Sequence, residues 1–140
     1  APAFFQTLEV LITGGDIVEI RDVKEAYRLG ARKIIDAYGP TEDTVWSTYY
    51  EIHPNESDFA RSIPIGKSIS NSRAFVLDSQ HRLVPPSVVG ELALGGDGVA
   101  RGYTDTEITK RSFVDIVVAG ERHRVYKTVA RAGVWMAILR

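Results

Sequence analysis

The sequence predicts an α/β unit followed by a β-rich unit, and two observations indicate this. A strand-helix-strand pattern occupies the first 45 residues. Short β-prone segments separated by turn residues then follow. We therefore expect a βαβ remnant of an α/β subdomain over residues 1–45 and a small distorted β-barrel over residues 46–128. Residues 129–140 form a separate C-terminal segment in this division.

The first strand and the helix of the βαβ unit are read from apolar periodicity and turn residues. The apolar run Leu8–Ile12 predicts a buried strand that leads into a turn at Gly14 and Gly15. Asp16 and Glu19 have the spacing of a helix capping box, and apolar residues then recur at helical intervals. Gly30 would end this helix.

The second strand places two short segments at one edge of the sheet. Lys33–Ala37 is rich in isoleucine and predicts a strand parallel to the first. Ligands of such units bind beyond the carboxyl ends of the strands. We therefore expect Gly14, Gly15 and the segment Tyr38–Glu42 to face one crevice.

The rest of the chain predicts short strands, with one helix near Asp105–Arg111. The strands are separated by turn residues, as in small barrels and sandwiches. They are predicted at Trp46–Ile52, Ala74–Leu77, Glu91–Leu94, Phe113–Val118 and Arg124–Thr128.

Composition excludes several classes of function. Hydrophobic residues make up 44% and charged residues 25% of the chain, as in ordinary globular proteins. A formal net charge of -1 gives no electrostatic basis for binding nucleic acid or an anionic membrane. There are no cysteines, which excludes disulfides and thiolate chemistry, and no stretch is apolar enough to span a bilayer. We expect a cytoplasmic protein.

The segment Asp36–Glu42 contains the residue types that hold a nucleotide. An aromatic ring can cover a base, the Thr41 hydroxyl can donate to a phosphate oxygen, and the Glu42 carboxylate can coordinate Mg²⁺. The same residues also suit an ordinary strand followed by a turn, so the segment alone leaves both interpretations open.

Other candidate features favour a structural interpretation. The glycine-rich segment Gly95–Gly98 lacks the Lys-Ser/Thr ending of a P-loop. The three histidines do not have metal-ligand spacing. The basic cluster Arg122–Arg124 is typical of a solvated face.

Four segments in a fixed order carry a family resemblance. The chain resembles the adenylation domains of nonribosomal peptide synthetases, which belong to the AMP-forming superfamily that includes acyl-CoA ligases and luciferases. The resemblance covers residues from about 8 to 128. It is carried by the segments Leu11–Asp16, Asp36–Glu42, Gly90–Tyr103 and Tyr126–Thr128.

The resemblance implies a fold and a reaction. The first unit would be part of a flavodoxin-like adenylation subdomain. The family activates an amino acid with ATP and Mg²⁺, giving aminoacyl-AMP and pyrophosphate. The acyl group then passes to the phosphopantetheine thiol of a carrier protein. Such catalysis consists mainly of positioning and charge neutralisation.

The resemblance also assigns roles to individual residues. Tyr38 would stack on the adenine, with the backbone of Gly14 and Gly15 on its other face, and Asp36 would meet the adenine amino group. Thr41 would bind the α-phosphate and Glu42 would coordinate Mg²⁺. Part of the amino-acid pocket would be built from small and apolar residues, which favours an apolar or aromatic substrate. These residues are Ile12, Gly14, Ala37, Val45 and Trp46.

Departures from the family pattern lead to further expectations. Val129–Ala130 stands where the family has Gly-Asp, whose carboxylate holds the ribose. The upstream phosphate loop and the lysine of the C-terminal lid are not among these residues, so we expect the 140 residues alone to be inactive. Self-association through exposed sheet edges is also expected. A non-catalytic nucleotide- or partner-binding module and an acyl-CoA ligase fragment remain alternatives.

Overall fold

The N-terminal part contains the predicted βαβ unit. The computed structural model describes residues 2–55, 63–86 and 88–132. Strands β1 and β2 are parallel, with Gly14 opposite Ala37. The predicted βαβ unit is confirmed, and each strand begins slightly later than expected. Its elements are a short helix α1 (Pro2–Thr7), β1 (Leu11–Gly14), helix α2 (Ile20–Arg28) and β2 (Ile34–Tyr38).

The first sheet continues beyond the βαβ unit. After a 3₁₀ helix (Thr41–Asp43), strand β3 (Thr48–Ile52) pairs antiparallel with β2. Strand β4 (Lys67–Ser68) pairs antiparallel with β3, which gives a four-stranded sheet in the order β1-β2-β3-β4. This sheet therefore crosses residue 45, and the division into domains at that residue stays a prediction.

The second sheet is antiparallel and contains the remaining predicted strands. Its order is β5-β6-β8-β7, and helix α3 (Thr106–Ser112) precedes β7. Both sheets are open among the described residues, so the predicted barrel is not confirmed. The strands are β5 (Ser72–Leu77), β6 (Gly90–Gly96), β7 (Phe113–Val118) and β8 (Glu121–Ala132). Residues 133–140, most of the predicted C-terminal segment, lie outside the described residues.

The predicted capping box is wrong. Helix α2 begins at Ile20, and its N-cap residue Glu19 makes no side-chain capping bond. The Asp16 carboxylate instead accepts a hydrogen bond from the Ile17 amide at 2.7 Å. Asp16 therefore closes a local turn before the helix. The predicted stop is confirmed, because Gly30 has a φ of 102° just after the helix.

Two apolar cores support the sheets, and a third cluster joins them. Helix α2 packs through Val23 and Ala26 on Ile34 and Ile52 of the first sheet. The second sheet has its own core around Phe75, Ala93 and Val125. Tyr38, at the end of β2, packs with Ile65 against a cluster of Ala74, Leu92 and Leu94. Tyr38 is therefore fixed where the two sheets meet.

A backbone irregularity lies in β8 where the sequence departs from the family. Val129 has a φ of 55°, although its side chain is β-branched, and it is 87% exposed. The register between β6 and β8 shifts here, between Glu91 and Ala93. A left-handed conformation costs a non-glycine residue about 1–2 kcal/mol. The backbone thus has a glycine-like conformation at a position occupied by valine.

Replacing Val129 by glycine should therefore stabilise the chain. We expect Val129→Gly to raise the free energy of unfolding by about 1 kcal/mol, measured by urea denaturation, because it relieves backbone strain without removing a buried contact. Val117→Gly is the matched control, since Val117 is an exposed valine in the regular part of β7. We expect that control to be destabilised. Equal losses in both variants would contradict this account of strain.

None of the helices in the described ranges is both long and apolar enough to cross a membrane.

Candidate functional site

A cavity lies beyond the carboxyl ends of β1 and β2. Its volume is about 530 Å³, within the range of small-molecule sites. Gly15, Asp36 and Tyr38 contribute to its wall, so residues at or just beyond the ends of both strands share one space, whereas Gly14, Thr41 and Glu42 of the predicted crevice are not part of this wall. The remaining wall is mostly apolar. It is formed by Asp16, Ile17, Val18, Ala37, Gly39, Pro40, Ile63 and Ile65.

The glycine pair has two different structural roles. A Cβ atom on Gly14 would lie 2.1 Å from the carbonyl oxygen of Ala37, so only glycine fits between these strands. Gly15 has a φ of 91° and open space where a side chain would be. Gly14 therefore sets the approach of the strands, whereas Gly15 leaves backbone exposed at the cavity.

The carboxyl group of Asp36 lies in the cavity wall and has a raised pKa. It is only 8% exposed, and burial raises its pKa to about 6. Burial also raises the pKa of the Tyr38 phenol, which the Thr128 side chain partly opposes. The cavity thus has one buried carboxyl group, Asp36, and one exposed carboxylate, Asp16, on a mainly apolar wall, a pattern that can orient a heterocycle.

The turn that follows the cavity carries Thr41 and Glu42. Pro40 is the last cavity residue on this side, and the 3₁₀ helix begins at Thr41, which is exposed. Glu42 is half-buried, and its Oε1 atom accepts a hydrogen bond from the Tyr103 hydroxyl. This bond raises the pKa of Tyr103. Thr41 and Glu42 therefore lie immediately beyond the cavity rather than in its wall.

A buried carboxyl group lies next to Glu42. Asp43 is 1% exposed, and neither of its carboxylate oxygens has a hydrogen-bond partner among the described residues. Burial raises its pKa. Sequence reasoning did not single this residue out.

The glycine-rich loop of the second sheet packs on this turn. The amide of Ala100 donates to the Glu42 carbonyl at 2.8 Å, and the Thr44 hydroxyl donates to the Gly98 carbonyl at 2.9 Å. Arg124 donates to the carbonyls of Ala100 and Arg101 at 3.0 and 2.7 Å. Arg124 is exposed, as predicted for a solvated cluster, but its guanidinium also holds the loop.

The predicted amino-acid pocket is only partly assembled. Ala37 lines the cavity. Ile12, Val45 and Trp46 are exposed and lie outside the cavity wall. Their role in substrate recognition therefore stays a prediction.

The described residues do not form a complete metal site by themselves. They contain no group of three or more His, Asp or Glu side chains able to hold a metal. In the same ranges, Glu42 forms no ion pair with Lys or Arg. Proteins usually bind Mg²⁺ through one or two carboxylates plus substrate phosphates. One uncompensated carboxylate beside the cavity fits that mode.

Comparisons with known sequences identify the family. The family described as "AMP-binding enzyme" matches residues 2–104. Cyclosporin synthetase simA of Tolypocladium inflatum is 44% identical over 91% of this chain. Nonribosomal peptide synthetase kk1B of Curvularia clavata is 47% identical over 91% of it. The chain spans about 1% of the length of each synthetase.

Solved structures support the same assignment. PA1221, a nonribosomal peptide synthetase protein with adenylation and PCP domains, superposes with a TM-score of 0.83 at 33% identity. The match covers 94% of this chain and 27% of PA1221. The N-terminal subdomain of Klebsiella oxytoca NpsA, in complex with 3-hydroxybenzoyl-AMSN, gives a TM-score of 0.84 at 26% identity. That match covers 95% of this chain and 34% of the NpsA N-terminal subdomain. The chain therefore belongs to the AMP-binding enzyme family, as a segment of a nonribosomal peptide synthetase adenylation domain.

Proposed function

We propose that these residues form the nucleotide-binding part of a domain that activates an amino acid with ATP. The cavity shared by Gly15, Asp36 and Tyr38 carries this proposal. It has one aromatic ring, one buried carboxyl group, one exposed carboxylate and an otherwise mainly apolar wall, which is the composition expected of an adenine site. The reaction joins the amino-acid carboxylate to the α-phosphate and releases pyrophosphate.

The residues of this chain would have separate tasks in that reaction. The Tyr38 ring would cover the adenine, and Asp36 would accept a hydrogen bond from its amino group. The Thr41 hydroxyl would donate to the α-phosphate, and Glu42 would hold Mg²⁺. The Mg²⁺ ion would neutralise part of the phosphate charge. Pro40 and Thr41 are adjacent, so the base site continues directly into the phosphate site.

The partners proposed for the activity follow from its two steps. The substrate would be an apolar or aromatic amino acid, because the predicted pocket residues carry no charge. A carrier protein would receive the acyl group on its phosphopantetheine thiol, and the cytoplasm would supply ATP.

Strand β1 is at the edge of its sheet, so self-association through that edge is also proposed.

A second candidate function is nucleotide binding without catalysis. The specific observation in its favour is Ala130, which stands where the family carries the ribose-binding carboxylate. Amino-acid-dependent ATP–pyrophosphate exchange separates the two functions. Exchange above the level of a Glu42→Ala variant would exclude the non-catalytic function.

Calorimetric titration of MgATP tests the nucleotide site. We expect saturable binding that weakens about 5- to 150-fold in Tyr38→Ala, because stacking of a base on an aromatic ring contributes about 1–3 kcal/mol. Tyr38→Phe is the matched control, since it keeps the ring and loses only the hydroxyl. Binding that is absent from the unaltered chain, or unchanged in Tyr38→Ala, would refute the proposed site.

A further inference from the structure

Tyr103 contacts the predicted metal ligand from the other sheet. Its hydroxyl donates a hydrogen bond to Oε1 of Glu42, 61 residues earlier in the chain. Tyr103 belongs to the loop between β6 and α3, whereas Glu42 belongs to the turn after β2. The bond therefore links the glycine-rich loop directly to the carboxylate.

Contacts to the backbone amide and to the ring both hold Tyr103 in place. Its amide donates to the Thr109 hydroxyl at 2.8 Å. Its ring meets Phe113 edge-on, with 5.6 Å between the ring centroids, and Phe113 in turn contacts Tyr126 at 5.2 Å. These contacts fix the ring, although the residue is 38% exposed. The hydroxyl consequently has a defined position.

The loop that carries Tyr103 is held as well. Arg124 stacks over the Phe113 ring, 5.0 Å from its centroid, while it binds the carbonyls of Ala100 and Arg101. The Ala100 amide binds the Glu42 carbonyl. The backbone and the side chain of Glu42 are therefore both hydrogen-bonded to the same loop.

The chemistry of the donor matters for a metal ligand. A lysine or arginine in this place would orient the carboxylate but would also cancel its charge. A neutral phenol orients the carboxylate and leaves the charge available to a cation, as outer-sphere partners of metal ligands do.

We propose that Tyr103 is a positioning residue for the divalent cation that accompanies the nucleotide: its hydroxyl holds Oε1 of Glu42 and leaves Oε2 for the cation. This inference rests on the proposed function. It adds a residue of the glycine-rich loop to the nucleotide site. It also gives the contact between the two sheets a role in metal binding.

The test separates metal binding from nucleotide binding. The dissociation constant of ATP is measured by calorimetry in EDTA and again with saturating Mn²⁺. The proteins are the unaltered chain, Tyr103→Phe, Glu42→Gln and the double variant. Tyr49→Phe is the control, because it removes a phenolic oxygen from β3, elsewhere in the first sheet.

We expect Mn²⁺ to tighten ATP binding to the unaltered chain and to Tyr49→Phe. In Tyr103→Phe this gain should fall about tenfold, which is the usual effect of losing an outer-sphere partner or a hydrogen bond to a charged group. Binding in EDTA should not change. The double variant should resemble Glu42→Gln alone, since Tyr103 acts through Glu42.

Three results in the variants would overturn the proposal. A full Mn²⁺ gain in Tyr103→Phe would show that the hydroxyl is dispensable, and an equal loss in EDTA would show a structural role only. Additive losses in the double variant would show that Tyr103 acts independently of Glu42. If the unaltered chain binds ATP without any Mn²⁺ gain, the metal role of both residues fails while the adenine site stands. If it binds no ATP, the proposed function itself fails.

Discussion

Replacing Asp36 by asparagine should make the folded chain more stable by about 2–3 kcal/mol at pH 8. The carboxyl is buried and its pKa is raised to about 6, against about 3.9 in an unfolded chain. Each pKa unit corresponds to about 1.4 kcal/mol, so ionised Asp36 opposes folding above pH 6. Asparagine keeps the shape of the side chain and removes the charge.

The pH dependence of this effect has a definite sign. Between about pH 4 and 6 the folded state binds more protons than the unfolded state, because the pKa of Asp36 is higher in the folded state. The contribution of Asp36 to the free energy of unfolding is therefore fully present below about pH 4. It is lost as the pH rises to about 6. The advantage of Asp36→Asn should therefore disappear at pH 4 and reach its full value above pH 6. Urea denaturation at several pH values measures it.

A control distinguishes burial from a general effect of net charge. Asp16 lines the same cavity but is exposed, and Asp16→Asn removes the same formal charge. We expect this variant to change stability by at most about 0.5 kcal/mol. If both variants gained equally at pH 8, repulsion within the whole chain would explain the result and burial of Asp36 would not.

Replacing Gly14 by alanine should destabilise the chain by about 3 kcal/mol or more. The added Cβ would lie 2.1 Å from the Ala37 carbonyl oxygen and 3.2 Å from its carbonyl carbon, both of them backbone atoms. Backbone cannot rotate away as a side chain can, so β1 and β2 must separate where they line the cavity. Nucleotide binding should be lost together with stability.

Gly15 provides a neighbouring comparison. Its added Cβ would meet nothing within 4 Å, but its φ is 91°. Gly15→Ala should therefore cost only the strain of that conformation, about 1–2 kcal/mol. Thermal and urea unfolding of both variants measure the difference. A Gly14→Ala protein as stable as Gly15→Ala would mean that the two strands approach less closely than described.

Helices and strands were predicted well where they are determined by neighbouring residues in the sequence. The strand Phe113–Val118 was predicted with its observed bounds, and the βαβ unit was predicted with its parallel pairing. The candidate site was found because Asp36–Glu42 carries its residue types in consecutive positions. The helix start was predicted wrongly, because Asp16 bonds to the next amide rather than to a helical turn.

Contacts between distant residues could not be predicted from the sequence. The contact of Glu42 with Tyr103 spans 61 positions, and no local pattern indicates it. Arg124 lies in a run of polar residues that looks like a solvated surface, yet it binds loop carbonyls 23 and 24 positions away. Asp36 sits in a predicted strand, but the raised pKa depends on packing that encloses its carboxyl.

The sequence by itself determined the family, the strand-helix-strand order and the residues that follow the strand ends, because these depend on residue type and near spacing. Tertiary structure alone decided that β3 and β4 extend the first sheet and that the second sheet stays open among the described residues. It also decided which polar groups are buried or paired. Strand pairing and burial depend on which distant surfaces pack together, and their free energy is set by contacts that no short stretch of the chain contains.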